Sequence, residues 1–216
     1  MIRFFDVVFS LVAIVILFPF MLPIMLLLKL TGEHDIFYGQ ERIGKGGKKF
    51  KLWKFATMLR NSPNLPGGTY TSKNDPRMLP MGKFLRKTKI NELPQLINIL
   101  TGEMSVIGYR PLMFDLYKEP NRSIILSNPP GLSGIGSVVF RNEEEMLQRV
   151  SDEDRDRYYR ERILPYKEKL EVWYAKNRSV GLYFRLILMT IIAVIKPNYM
   201  GWKKLKDIPQ PPEGLF

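Results

Sequence analysis

The chain has 216 residues, no cysteine and a single histidine. Without cysteine there are no disulfides and no cysteine-based zinc sites, which suits a reducing compartment. One imidazole cannot build a histidine metal cluster, and His34 reads as a loop residue. Acid is also in short supply: 21 Asp+Glu stand against 33 Lys+Arg, for a formal net charge of +12. That excess points to a polyanionic partner, whether nucleic acid, anionic lipid or a phosphorylated substrate. Polar residues are scarcest near the N-terminus, where Ser10 is the only one between Val7 and Leu28. A span of about 20 apolar residues can cross a bilayer as a helix, and a plain nucleic-acid binder leaves such a run unexplained. The run is too long for a cleaved signal peptide, and no A-x-A-like site follows it. Internal repeats and low-complexity tracts are missing as well. The length fits one domain plus a membrane element.

Pro19 and Pro23 interrupt the apolar run. Each removes a backbone hydrogen bond and crowds the preceding turn, so a straight helix is disfavoured. Arg3 precedes the run, and Lys29, Arg42, Lys45, Lys48 and Lys49 follow it. Basic residues on both flanks suit two cytoplasmic ends. On the residues alone, a spanning helix and a hairpin that enters and leaves by one face both stay open.

Ile36 to Met58 reads as a β-hairpin turning at Lys45-Gly46-Gly47. Lys49 stands where a Walker loop needs Ser or Thr, so the phosphate-loop reading fails. Asn61 to Pro80, with Pro63, Pro66, Gly67, Gly68 and Pro76, is a long loop of the kind that often carries function. Met81 to Lys89 reads as a basic helix presenting Lys83, Arg86, Lys87 and Lys89. Asn91 is a good N-cap and Pro94 fits a first helical turn. Leu93, Leu96, Ile97 and Leu100 then form an apolar face, with Gly102 as the stop. Such a helix start favours an anion, and Glu92 beside it suggests metal binding or attack on phosphorus. Ser151 and Asp154 form a capping box before a charged helix that ends near Leu164. Pro165 starts the next helix, which carries Leu170, Trp173 and Tyr174. The clusters 143–145 and 152–160 read as solvated helix faces. Leu182 to Ile195, short for a span, is a core or an interfacial helix.

In order along the chain stand DIFYGQERIGKGGKKFKLWKFATM, NDPRMLPMGKFLRKTKINELPQL, GEMSVIGYRPL, PPGLSGIGS and WYAKNRS. This series resembles the small bacterial polyprenyl-phosphate phosphoglycosyl transferases, the bacterial sugar transferases, over nearly the whole length. The resemblance implies an α+β fold, predominantly helical with a β-hairpin. It also implies a monotopic membrane protein with interfacial helices, in which residues 1–30 form a re-entrant helix bent at Pro19 and 31–216 a cytoplasmic catalytic domain. It places the protein on the cytoplasmic face of the bacterial inner membrane. The implied reaction moves a phospho-sugar from a nucleotide diphosphate sugar, a UDP-sugar, onto undecaprenyl phosphate. A nucleoside monophosphate is released, and Mg²⁺ is the expected cofactor. Nucleic acid is not an expected partner, and the oligomeric state, a homodimer included, is left open.

The same resemblance assigns residues. Lys54 matches a lysine near the active site, and Arg86 an arginine before the catalytic dyad. Arg110 lies in Tyr109-Arg110-Pro111, where the family usually has Pro-Arg-Pro; arginine forks suit phosphate oxygens. Ser133 replaces the threonine of a Pro-Gly-x-Thr-Gly pattern and keeps a hydroxyl. Tyr174 and Asn177 match a late pattern. Asn91-Glu92 stands where the family carries Asp-Glu, with the aspartate as nucleophile. A neutral amide is a poor nucleophile, so Glu92 becomes the central catalytic and metal-binding candidate, with Asn91 as its neighbour in the site. Ala56, where a basic residue is usual, and Tyr109 also depart from the pattern. Two rivals follow: a transferase without a covalent step, and a catalytically silent scaffold that binds lipid phosphates or partner enzymes.

Overall fold

A computed structural model describes residues 1–65, 75–112, 117–151, 153–196 and 198–216. The apolar run forms α1 (Ile2–Leu30), with Pro19 and Pro23 both inside the helix. Burial along it follows the helical period. Asp6, Ser10, Met21 and Leu28 are buried on one stripe, while Phe4, Val8, Leu11, Val15, Phe18, Leu22 and Leu26 are exposed on the other side. The helix is long and apolar enough to cross a membrane by length and composition.

Strands β1 (Phe37–Ile43) and β2 (Lys49–Phe55) pair as a two-stranded sheet. Their connection is the anticipated turn: Gly46 and Gly47 take φ of 67° and 77°, where a side chain would be strained. The base of the following loop is closed, since the Leu79 N–H donates to the Thr57 carbonyl and the Leu59 N–H to that of Arg77. Pro66, Gly67 and Gly68 of that loop, and Asp152 of the later charge cluster, lie outside the described residues.

Helices α2 (Gly82–Lys87) and α3 (Gln95–Thr101) come next, and α3 stops as expected at Gly102, whose φ is 95°. A second small sheet follows, which the sequence did not disclose. In it β3 (Ser105–Ile107) runs parallel to β4 (Gly131–Ser133), with Ser105 opposite Gly131 and Ile107 opposite Ser133. Three-residue strands are too short to show an alternation. Between them lies α4 (Asn121–Leu126), and after them α5 (Ile135–Val139) and α6 (Glu143–Gln148).

The Ser151 hydroxyl accepts the Asp154 N–H at 3.2 Å and donates to its carboxylate at 2.9 Å, next to the start of α7 (Arg155–Tyr158). Pro165 stands in the first turn of α8 (Leu164–Asn177), as expected, but no break precedes it. A π turn, Tyr159–Ile163, leads directly into that helix. Proline lacks an N–H and its ring crowds the carbonyl four residues back; the wider π turn gives the ring room. Helix α9 (Val180–Ile195) opens on Ser179, whose hydroxyl accepts the Leu182 N–H. It is core on one side (Tyr183, Leu186, Met189, Ala193) and open on the other (Phe184, Leu188, Ile191, Ile195).

The chain forms two compact units that cut across its linear order. One comprises Met1–Asp6, Arg42–Phe50 and Gly102–Phe216; the other Val7–Glu41 and Lys51–Thr101. The core of the first includes Ile107, Ile135, Tyr166, Leu170, Tyr183 and Trp202. The core of the second is built on Met21, Leu28, Phe55 and Leu85.

Candidate active site

In the second unit, β2 brings Lys54 to Glu92. Lys54 Nζ lies 3.9 Å from Glu92 Oε1, and the two side chains are 19% and 26% exposed. Glu92 ends a 3₁₀ turn, Ile90–Glu92, entered through Lys89 in the left-handed region at φ 61°. Between strand and helix sits Asn98, fully buried. Its Oδ1 accepts the Trp53 N–H at 3.0 Å and its Nδ2 donates to the Lys51 carbonyl at 2.8 Å. The amide therefore continues the sheet edge as another strand would, and it fixes the strand that carries Lys54. Its sequence signal was a polar residue set between two apolar pairs, Leu96-Ile97 and Ile99-Leu100.

Asn91 is not the N-cap that its sequence suggested. It lies in the middle of the 3₁₀ turn, and α3 begins only at Gln95, after Pro94. The helix start that was to receive an anion is therefore not formed at Asn91-Glu92. The later start also turns the helix: Leu96 and Ile99 are buried while Ile97 is exposed, in place of the face expected from Leu93, Leu96, Ile97 and Leu100. Asn98 can point inward because strand β2 satisfies it. Asn91 is 6% exposed, and its Oδ1 has no hydrogen-bond partner among the described residues.

Arg86, in α2, places Nη1 3.1 Å from the Met58 sulfur and 3.9 Å from the Met78 sulfur. These methionines are held opposite each other by an isolated antiparallel bridge. Thioethers are weak acceptors, and here they help orient the guanidinium.

Arg110 and Ser133 belong to the first unit. Arg110 is exposed, between buried Tyr109 and buried Pro111. The strand leading to it is held by glycine contacts that no other residue permits. A Cβ on Gly131 would lie 2.1 Å from the Gly108 nitrogen, and one on Gly134 2.0 Å from the Gly108 oxygen. Tyr109, standing where the family pattern has proline, packs with Tyr117, Ile125 and Leu126. The Ser133 hydroxyl lies 2.8 Å from Thr190 Oγ1. Thr190 gives its own proton to the Leu186 carbonyl, so Ser133 is the donor. Tyr174 donates to the Ile107 carbonyl at 3.1 Å, and Asn177 to the Trp173 carbonyl at 2.9 Å.

Asp6 was missed, although it is the acid that immediately precedes the apolar run. It is 2% exposed and accepts from Ser105 Oγ at 2.9 Å, the Val106 N–H at 2.8 Å and Tyr183 Oη at 2.9 Å. Among the described residues, no group of three or more His, Cys, Asp or Glu could hold a metal ion alone.

A family model described as bacterial sugar transferase matches residues 1–197. The exopolysaccharide production protein ExoY of Sinorhizobium fredii is 36% identical over 69% of this chain and 73% of its own length. The undecaprenyl-phosphate galactose phosphotransferase of Salmonella typhimurium is 30% identical over 90% of this chain and 40% of its own. The UDP-glucose:undecaprenyl-phosphate glucose-1-phosphate transferase of Klebsiella pneumoniae is 31% identical over 88% and 39%. The chain belongs to the bacterial sugar transferase family, as its motifs led us to expect, and is an enzyme of the phosphoglycosyl transferase class.

Proposed function

We propose that this enzyme moves a phospho-sugar from a UDP-sugar to undecaprenyl phosphate and releases a nucleoside monophosphate, as the first membrane step of a surface glycan. The observation that carries the reading is the Lys54–Glu92 pair, partly open to solvent beside Asn91. A phosphoryl transfer of this kind needs cations on the diphosphate and a carboxylate close by. A phosphate oxygen bonds to the sugar-linked phosphorus, and the bond from that phosphorus to the nucleotide phosphate oxygen breaks. Lys54 and Arg86 supply positive charge to the donor, and the Tyr109-Arg110-Pro111 motif makes Arg110 a donor-binding residue. Asn91, uncharged, supplies an amide N–H that an ionised aspartate could not.

The residues fit Mg²⁺. This ion is commonly held by one or two carboxylates together with substrate phosphates, not by an all-protein cage. The Glu92 carboxylate and the unpartnered Asn91 Oδ1 are the oxygens that would hold it. When bound, it neutralises charge on the diphosphate.

The protein would sit on the cytoplasmic face of the bacterial inner membrane, with α1 entering and leaving by that face and bending at Pro19. Two observations support this topology. Asp6, at the start of α1, is buried against β3 and α9. Met21 and Leu28, toward its other end, pack with Phe55 and Leu85.

Asn91 favours one other reading, the catalytically silent scaffold. Purified protein incubated with a panel of nucleotide sugars and undecaprenyl phosphate separates the two. The transferase releases nucleoside monophosphate from at least one donor, and the scaffold from none.

A further inference from the structure

Glu171, in α8, is 3% exposed, and its carboxyl accepts the backbone N–H of Arg110. One turn later on the same helix, Tyr174 holds the Ile107 carbonyl at 3.1 Å. The two side chains therefore clamp strand β3 and the turn that follows it at an N–H and at a carbonyl. Below Glu171 lies Gly136 of α5, where a Cβ would come 2.6 Å from Oε1. A side chain at 136 would displace the carboxyl from the Arg110 peptide. Oε2 has no hydrogen-bond partner among the described residues. A packing residue needs no carboxyl here; a leucine would fill the space without the cost of burying an acid.

We propose that Glu171 is a positioning residue for Arg110: by holding that peptide N–H it sets where the guanidinium meets the donor diphosphate. This rests on the reading of Arg110 as a donor-binding residue.

The electrostatics favour a neutral acid. Burial pushes Glu171 up to about 8, against the opposing pull of Lys167 and of the Arg110 N–H. Lys167, one turn back on α8, is itself lowered by burial and is engaged by Glu143 of α6 at 2.6 Å. Tyr117, ahead of α4, and Tyr174, on α8, also face the carboxyl, and burial raises both phenols. Glu168 and Tyr159 act on Tyr117 in turn. As pH rises through about 8, Glu171 ionises in a site where Lys167 is already taken by Glu143. The carboxylate still accepts the Arg110 N–H, but as a buried charge without a free cationic partner it destabilises the packing that holds the Arg110 turn.

The test uses the full chain and reads kcat and KM for the nucleotide-sugar donor on both sides of pH 8. Glutamine keeps an oxygen for the Arg110 N–H and cannot ionise. Glu171→Gln is expected to stay within about threefold of wild type near neutrality, while Glu171→Leu raises donor KM about tenfold or more. Wild type is expected to lose donor kcat/KM above about pH 8, and Glu171→Gln to lack that limb. Arg110→Ala combined with Glu171→Leu is expected to be no worse in KM than Arg110→Ala alone. Should Glu171→Leu fail to fold, the pH profile of Glu171→Gln decides by itself. An alkaline limb retained in Glu171→Gln, an unchanged KM in Glu171→Leu, or additivity with Arg110→Ala overturns the role of Glu171 and leaves that of Arg110 standing. An unchanged KM in Arg110→Ala overturns the reading of Arg110, and the proposal with it.

Discussion

Lys54 and Glu92 face each other at 3.9 Å, the lysine on a strand that a buried amide of α3 holds by its backbone. Asn98, six positions after Glu92, binds the backbone of β2 on both sides of buried Leu52, at the Lys51 carbonyl and the Trp53 N–H. Lys54 is the next residue along that strand. A partly exposed ion pair at this distance contributes about 0–1 kcal/mol to stability. The pair therefore does little to hold the fold together, and its value lies in what it offers a ligand.

Glu92→Gln is expected to leave the melting temperature nearly unchanged and to lower turnover by about a hundredfold or more, as for loss of an essential acid–base or charge-stabilising group. Lys54→Ala is expected to act mainly on the donor. Nucleoside monophosphate release and thermal unfolding of the same preparations check both. Robust turnover by Glu92→Gln would remove the carboxylate from the mechanism.

Asn98→Leu strands the Trp53 N–H and the Lys51 carbonyl. The expected cost is about 1–3 kcal/mol for groups left without partners in a buried site, read from denaturant unfolding. Turnover is expected to fall in the fraction that remains folded, because the strand carrying Lys54 is no longer fixed. Wild-type turnover in stable Asn98→Leu would show that something else places Lys54.

Asn91→Asp puts a charge on a side chain only 6% exposed. Both stability and turnover are expected to fall, the first from desolvation and the second from repulsion of the donor phosphates. Intact-protein mass spectrometry after donor addition is the check. Raised turnover with a phospho-sugar adduct on residue 91 would instead show that a covalent route had been restored.

The pH dependence of stability follows from Glu171. The folded chain keeps its proton up to about pH 8, whereas the unfolded chain releases it near the ordinary value of 4.5. Between those values the folded state holds more protons, so this contribution is full below 4.5 and is lost as pH rises through about 8. Melting temperatures of wild type and Glu171→Gln across that window isolate the group. Wild type is expected to decline relative to the variant, and parallel curves would contradict it.

For topology, a cysteine placed beside Met1 is expected to resist an impermeant thiol reagent added to intact cells, and to react once the cells are opened. The native chain has no cysteine to interfere. Replacing Pro19 and Pro23 with leucine is expected to favour spanning and to expose that cysteine. Ready labelling of the unaltered helix from outside would exclude a re-entrant α1.

Much of this was legible in the chain. The length and apolarity of α1, the Gly46-Gly47 turn, the Gly102 stop and the order of the motifs are local or compositional, and each appears in the structure. Where an element boundary was misread, a less common turn had taken the place of the usual one. Asn91 has the chemistry of an N-cap, but the 3₁₀ turn and Pro94 delay the helix to Gln95. Pro165 has the chemistry of a break, but a π turn accommodates it.

The sequence by itself determined the family, the long apolar N-terminal helix and the residue types available for phosphate chemistry, because motif order, hydropathy and side-chain charge are properties of the chain alone. Only the tertiary structure decided which groups are buried and what they hold: Asp6 on β3 and Tyr183, Asn98 on strand β2, and Glu171 on the Arg110 peptide. The physical reason is that a buried polar side chain must find its hydrogen bonds within the protein. In each of these cases the partner lies far along the chain, where no local pattern records it.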